Sequence, residues 1–265
     1  MIIPCMETLV VLKIGGNVID NPQILDNVLR DFAEWKSRKI LVHGGGKIAD
    51  NIMQRLGITP QMVDGRRITD RETLDVVTMV YGGLINKNIV AALQSLNCNA
   101  IGLTGADANI IPAVKRPVKD IDYGFAGDLL TDRISTETLT TFLNMGLVPV
   151  LAPITHNSEG NLLNTNADTI ASNVAVALSK IFRTQLVFCF DKKGVLRDSD
   201  NENSLIEFLN EDLYRQYKND GVITAGMLPK LDNAFAALHN GVAEIRICSR
   251  EGLNRGGTII KLNNE

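Results

Sequence analysis

The sequence predicts an α/β fold, an αβα sandwich built on a mainly parallel central sheet. Short apolar runs alternate along the chain with stretches whose apolar residues recur at helical spacing. Strands separated by helices imply right-handed crossovers, hence parallel pairing and a sheet covered on both faces. Glycines cluster where the first two runs end, at the carboxyl ends of strands, the edge at which such sheets bind ligands.

Taken in order, "TLVVLKIGG" reads as a buried strand that ends at Gly15 and Gly16. The next stretch, "PQILDNVLRDFAEWKS", sets Ile24, Leu25, Val28, Leu29 and Phe32 on one helical face. "KILVHGGG" is the second strand and "KIADNIMQRLG" the helix after it, closed by Gly57. Further strands are expected in "NAIGLTG", "LVPVLAPI", "QLVFCF", "AEIRICS" and "TIIKL", with helices near 73–80, 167–178 and 231–239.

Composition narrows the function. With 265 residues, 45% hydrophobic and 22% charged, the chain suits one large domain or two lobes sharing a long sheet. A formal net charge of −3, without runs of like charge, gives no basic field for nucleic acid. Cys5, Cys98, Cys189 and Cys248 form no C-x-x-C pair, and three of them sit in apolar runs, so neither a zinc site nor a disulfide is expected. The opening "MIIPCMETLVVLKIGG" lacks a basic leader, and its apolar run is short and interrupted. A cytoplasmic protein with no membrane partner is the expectation.

The chemistry lies in glycines, lysines and one carboxylate. Gly15 and Gly16 end the first strand, and Gly44, Gly45 and Gly46 end the second. Read singly, each cluster is also a tight turn; together they favour an anion, because amides without a Cβ in the way approach phosphate oxygens closely. Neither a G-x-x-x-x-G-K-[ST] nor a G-x-G-x-x-G after a strand occurs, so phosphate would bind by another fold. Lys13 sits in a run that should be buried, either facing solvent at the strand's end or meeting a phosphate. Asn164, Asn166 and Asp168 precede an apolar helix, where they also read as an N-cap cluster. Lys230 follows Pro229 where a helix begins, a place at which the helix dipole disfavours a cation lacking an anion. Two lysines and one carboxylate suit phosphoryl transfer.

As an ordered set, "KIGG" at 13–16, "HGGG" at 43–46, "DGRRIT" at 64–69, "NTNAD" at 164–168 and "GMLPK" at 226–230 resembles the amino-acid kinase family, of the carbamate kinase-like fold. The motifs span nearly the whole chain. The resemblance implies an N-terminal lobe, 1–179, for an amino-acid substrate, and a C-terminal lobe, 180–265, for ATP. It implies transfer of the γ-phosphoryl group of ATP to the γ-carboxylate of an N-acylated glutamate, in arginine biosynthesis, with magnesium carried by the nucleotide and no metal held by the protein alone. Lys13 and Lys230 would stabilise the transferring and leaving phosphates, and Asp168 would keep both aimed. Gly44, Gly45 and Gly46 would cradle the γ-carboxylate, Arg67 would bind the α-carboxylate, and Asn164, with Asn166 beside it, would meet the acylated amine. Gly15, Gly16, Asp191, Lys192, Gly194, Gly226 and Met227 would line the ATP side.

Three positions depart from the family pattern. Lys47 stands where proline is usual, Arg66 where an apolar residue is usual and Ala106 where lysine is common. The first two put added positive charge on segments expected to line the amino-acid pocket, which would favour an N-acyl group with its own carboxylate, such as succinyl. The same fold serves carbamate, aspartate, glutamate, uridylate and isopentenyl phosphate kinases, and a catalytically silent sensor is a further alternative. Only "MIIPCME" precedes the first strand, where arginine-inhibited members carry a helix that links dimers into a hexamer. The expectation is a homodimer, insensitive to arginine.

Overall fold

The structure, a computed structural model, describes residues 6–63, 65–198, 201–223, 227–254 and 256–263. The chain opens with β1 (Thr8–Ile14), a short helix α1 (Gly16–Asp20), α2 (Pro22–Glu34), β2 (Arg38–His43) and α3 (Gly46–Arg55). The antiparallel pair β3 (Met62–Val63) and β4 (Arg66–Arg67) leads into α4 (Arg71–Val77), a π-helical segment (Thr78–Ile85) and α5 (Asn86–Ser95). Next come β5 (Ala100–Leu103), the pair β6 (Ala113–Lys115) and β7 (Gly127–Leu129), α6 (Thr136–Asn144) and β8 (Val148–Leu151). The pair β9 (Ile154–His156) and β10 (Leu162–Asn164) precedes α7 (Ala167–Leu178) and β11 (Arg183–Cys189). The chain finishes with β12 (Phe208–Leu209), α8 (Glu211–Asn219), α9 (Leu228–His239), β13 (Glu244–Cys248) and β14 (Thr258–Ile260).

Eight strands form the central sheet, in the order β12-β14-β13-β11-β1-β2-β8-β5. All neighbours are parallel except β13 and β14. β1 shows why the class was legible. Its Leu9 and Val11 pack into a core shared with α6, α7 and α9, while Val10, Leu12 and Ile14 pack on the opposite face against α2, α3 and the α4–α5 run. A strand with both faces covered has no reason to alternate polarity, which makes it a continuous apolar run.

Local chemistry sets the helix ends. Asn21 caps α2 by accepting from the amides of Gln23 and Ile24. The buried Lys39 closes its other end, donating from Nζ to the carbonyls of Phe32, Ala33 and Trp35 at 2.8 Å each. The helix expected near 73–80 is in fact one continuous run, Arg71–Ser95, long and apolar enough by composition to cross a bilayer. Here its Leu74, Val77, Val80, Ile85, Ile89 and Leu93 are buried in the core beneath the sheet. Gly82 and Gly83 suggest a break, but the chain passes them in π-helical turns instead. Cys189 and Cys248 face each other in register on β11 and β13 as buried free thiols.

Candidate functional site

The parallel strands end at one edge, and a cavity of about 1000 Å³ opens there. Its walls hold Gly44, Gly45 and Gly46 after β2, Arg66 and Arg67 of β4, Tyr81, Asn164 at the end of β10, Asn166 and Asp168 at the start of α7, Phe190 after β11 and Lys230 at the start of α9. Residues distant in sequence thus share one space.

Lys13 is the penultimate residue of β1 and is only 6% exposed. Its Nζ lies 2.7 Å from Asp168 Oδ1, a partner that a buried ammonium requires. Lys230 is exposed, and its Nζ stands 4.4 Å from the centroid of the Phe190 ring, with the Lys13 Nζ 4.7 Å from the same centroid. Among the described residues no ion pair joins Asp168 to Lys230. Asp168 was expected to aim both lysines; the structure pairs it with Lys13, and the Phe190 ring lies near both cations. Phe190 carries no charge and closes the apolar run "QLVFCF"; its signal was that place at the binding edge.

The glycine loop is shaped by what surrounds it. Gly45 has φ +142°, and a Cβ there would fall 2.1 Å from Ile85 Cδ1, so any other residue would strain the backbone and displace Ile85. Behind the loop, His43 is fully buried. Asn86 donates from Nδ2 to the Val150 carbonyl at 2.9 Å and to His43 Nε2 at 3.2 Å. The imidazole therefore carries its proton on Nδ1 and donates it to the Gly44 carbonyl at 2.9 Å. Burial pushes the His43 pKa down to about 4.

Arg67 is buried on the cavity wall. Its Nη1 donates to Asp50 Oδ1 at 2.5 Å and its Nη2 to the Gly46 carbonyl at 3.4 Å, with Tyr81 beside it. Burial acts against the charge, but Asp50 and Tyr81 hold the guanidinium above its ordinary pKa. Asp50 and Tyr81 were missing from the sequence reading. Asp50 had a signal: it lies four residues after Gly46, one helical turn along the same face of α3. Asn164 donates from Nδ2 to Thr69 Oγ1 at 3.0 Å, which leaves its carbonyl oxygen as an acceptor. Asn166 caps α7 by accepting from the Thr169 amide at 3.0 Å, which leaves its NH₂ as a donor.

On the expected ATP side the outcome is mixed. The Gly15 amide donates to the Cys189 carbonyl at 3.0 Å, so it is not a free phosphate donor. A Cβ at Gly15 would stand 2.9 Å from Phe190 Cδ1; the glycine makes room for that ring. Gly16 opens α1, where the next residue, Asn17, donates from Nδ2 to Asp191 Oδ2 at 2.9 Å. Asp191 and Lys192 are exposed. Gly194 is buried against Thr258 and Leu205, away from the cavity wall, and Met227 is half-buried against the core. Gly226 lies outside the described residues. Lys47 also departs from expectation: it donates to Asn17 Oδ1 at 2.7 Å and lies 3.7 Å from Asp20 Oδ2, tying α3 to α1 without lining the cavity. Burial pushes the Asp20 carboxyl up, with Lys47 opposing. Arg66 does line the cavity and is exposed. Among the described residues no group of three or more His, Cys, Asp or Glu is gathered to hold a metal.

A lysine paired with a carboxylate, a second lysine beside the same aromatic ring and a glycine loop at the edge of a parallel sheet are the kind of groups that phosphoryl transfer uses. Comparison with known proteins agrees with this chemistry. The acetylglutamate kinase of Cytophaga hutchinsonii is 57% identical over 249 residues, covering 94% of this chain and 94% of that one. The acetylglutamate kinase of Bacteroides fragilis is 52% identical over 256 residues, covering 96% and 97%. The solved structure of carbamate kinase from Giardia lamblia bound to AMP-PNP shares the fold, with a TM-score of 0.68 at 14% identity over 97% of this chain and 99% of that one. The profile of the amino acid kinase family matches residues 8–249, and the chain belongs to that family.

Proposed function

We propose that this protein transfers the γ-phosphoryl group of ATP to the γ-carboxylate of N-acetylglutamate, giving an acyl phosphate for arginine biosynthesis. The observation that carries the reading is the Lys13–Asp168 pair in contact with a cavity that Lys230, Arg67 and the glycine loop also reach. Residues 1–179 supply the amino-acid side and 180–265 the nucleotide side. Arg67, preset by Asp50, matches an α-carboxylate bidentately, and Asn164 offers its carbonyl to the N–H of the acylated amine.

The attacking carboxylate is ionised at neutral pH and needs no general base. Charge in a loose, in-line transition state spreads over the phosphoryl oxygens, and Lys13 and Lys230 meet it there. Magnesium carried by ATP would supply charge neutralisation. The enzyme works in the cytoplasm, where ATP is supplied. Met79 and Leu84, exposed on the π-helical segment, support a homodimer built through the N-terminal half, which light scattering would read.

The test is ADP release that depends on N-acetylglutamate, with hydroxylamine trapping of the acyl phosphate. Lys13→Ala and Lys230→Ala should each lower kcat by roughly 10²- to 10³-fold, the scale for one preorganised charge. Absence of turnover in the wild type leaves a sensor instead of an enzyme. Near-normal turnover in either variant removes that lysine from the mechanism.

A further inference from the structure

Lys13 and Lys230 carry like charge beside one ring, and among the described residues only Lys13 has a carboxylate within ion-pair distance. Both, however, lie within 5 Å of one neutral ring: Lys13 Nζ is 4.7 Å and Lys230 Nζ 4.4 Å from the Phe190 centroid. An aromatic face attracts cations without neutralising them. A second carboxylate in its place would instead compete with the incoming phosphate. The ring is itself fixed. Its backbone amide donates to the Cys248 carbonyl at 2.9 Å, and it stacks on Phe188 with centroids 5.8 Å apart and planes 5° from parallel. Gly15 yields the space that the ring fills, since a Cβ there would approach Cδ1 to 2.9 Å.

We propose that Phe190 is a positioning residue for phosphoryl transfer: its ring orders the Lys13 and Lys230 side chains before the nucleotide arrives. The inference rests on the kinase reading above. Its effect falls on nucleotide binding and on the transition state, because both lysines address phosphate oxygens. An immobile neutral ring also lowers the reorganisation needed when the phosphates enter, which is the advantage of a preorganised site.

The experiment replaces Phe190 by 4-fluoro-, 3,5-difluoro- and 3,4,5-trifluorophenylalanine, which weaken the ring's attraction for cations stepwise at almost constant shape. Phe190→Leu and Phe190→Trp are made alongside. Two quantities are read: affinity for a non-hydrolysable ATP analogue, and kcat/KM for ATP with N-acetylglutamate. The expected result is a stepwise loss in both, reaching roughly tenfold at the trifluoro ring and in Phe190→Leu, with Phe190→Trp close to wild type. A ring that serves only as packing predicts a flat fluorine series, and that outcome overturns the proposal. Because analogue binding needs no amino-acid substrate, a wild type that fails to phosphorylate N-acetylglutamate refutes the kinase reading while the affinity series still decides the role of Phe190.

Discussion

His43 links the stability of the glycine loop to pH, and its magnitude follows from the geometry. The imidazole is enclosed, donates to the Gly44 carbonyl and accepts from Asn86, so neither nitrogen has room for a second proton. Its pKa of about 4 in the fold compares with an ordinary value of about 6.5 in the unfolded chain. Between those values the unfolded chain binds the extra proton and the folded one does not, so stability falls as pH falls. The contribution is complete above about pH 6.5, has dropped by about 2 kcal/mol at pH 5, and is lost by about 3 kcal/mol once pH passes below 4.

Urea unfolding followed by the fluorescence of Trp35, the single tryptophan, measures this directly. Other groups titrate as well, the raised Asp20 with opposite sign, so the informative quantity is the difference between wild type and His43→Gln. Glutamine can donate to the Gly44 carbonyl but does not titrate. The variant should be less stable at pH 7.5, and its deficit should shrink by about 2 kcal/mol on going to pH 5. Parallel stability curves for the two proteins would show that His43 is not the buried neutral group described.

Three further outcomes follow from the same structure. Lys39→Met keeps the aliphatic stem but leaves the Phe32, Ala33 and Trp35 carbonyls without their donor, and should cost about 2–3 kcal/mol in urea unfolding with turnover at 25 °C unchanged. Arg66, exposed on the cavity wall, adds a cation that a carboxylate on the acyl group would meet: Arg66→Ala should lower kcat/KM for N-succinylglutamate while leaving that for N-acetylglutamate largely intact, and an equal loss for both compounds counts against it. Asp168→Asn should destabilise the fold by about 1–2 kcal/mol, discounted for its partly exposed carboxylate, while adding Lys13→Met should restore stability but not turnover, as thermal melts and ADP release would record.

The fold was legible where burial leaves a pattern. The strands of the sheet interior are continuous apolar runs, and α7 was placed at its observed bounds because its apolar residues and N-cap Asn166 agree. Elements with little buried surface were missed: β12 is two residues long, α8 buries only Tyr214, and α6 is rich in threonine. Among site residues, those with an intrinsic oddity were readable, since a lysine in a buried strand or three successive glycines conflict with local expectation. Asp50, Tyr81, Asn86 and Phe190 are ordinary residues in ordinary elements. Their roles arise only when the chain brings Arg67, His43 and the two lysines against them.

Lys47 and Gly15 show that a position beside a ligand motif is also constrained by the fold. Both sit in motifs that point to ligand, yet Lys47 is drawn to Asn17 and Asp20, and Gly15 gives its amide to Cys189 and its missing Cβ to Phe190. A motif records that a position is constrained, but the constraint has two sources: contact with the ligand, or room for the residue that makes the contact. The two lysines divide along the same line. Lys13 is buried, and its ammonium needs the Asp168 carboxylate for that burial to be tolerated. Lys230 is exposed and, among the described residues, has no carboxylate within ion-pair distance, so the proposal leaves the Phe190 ring to hold it.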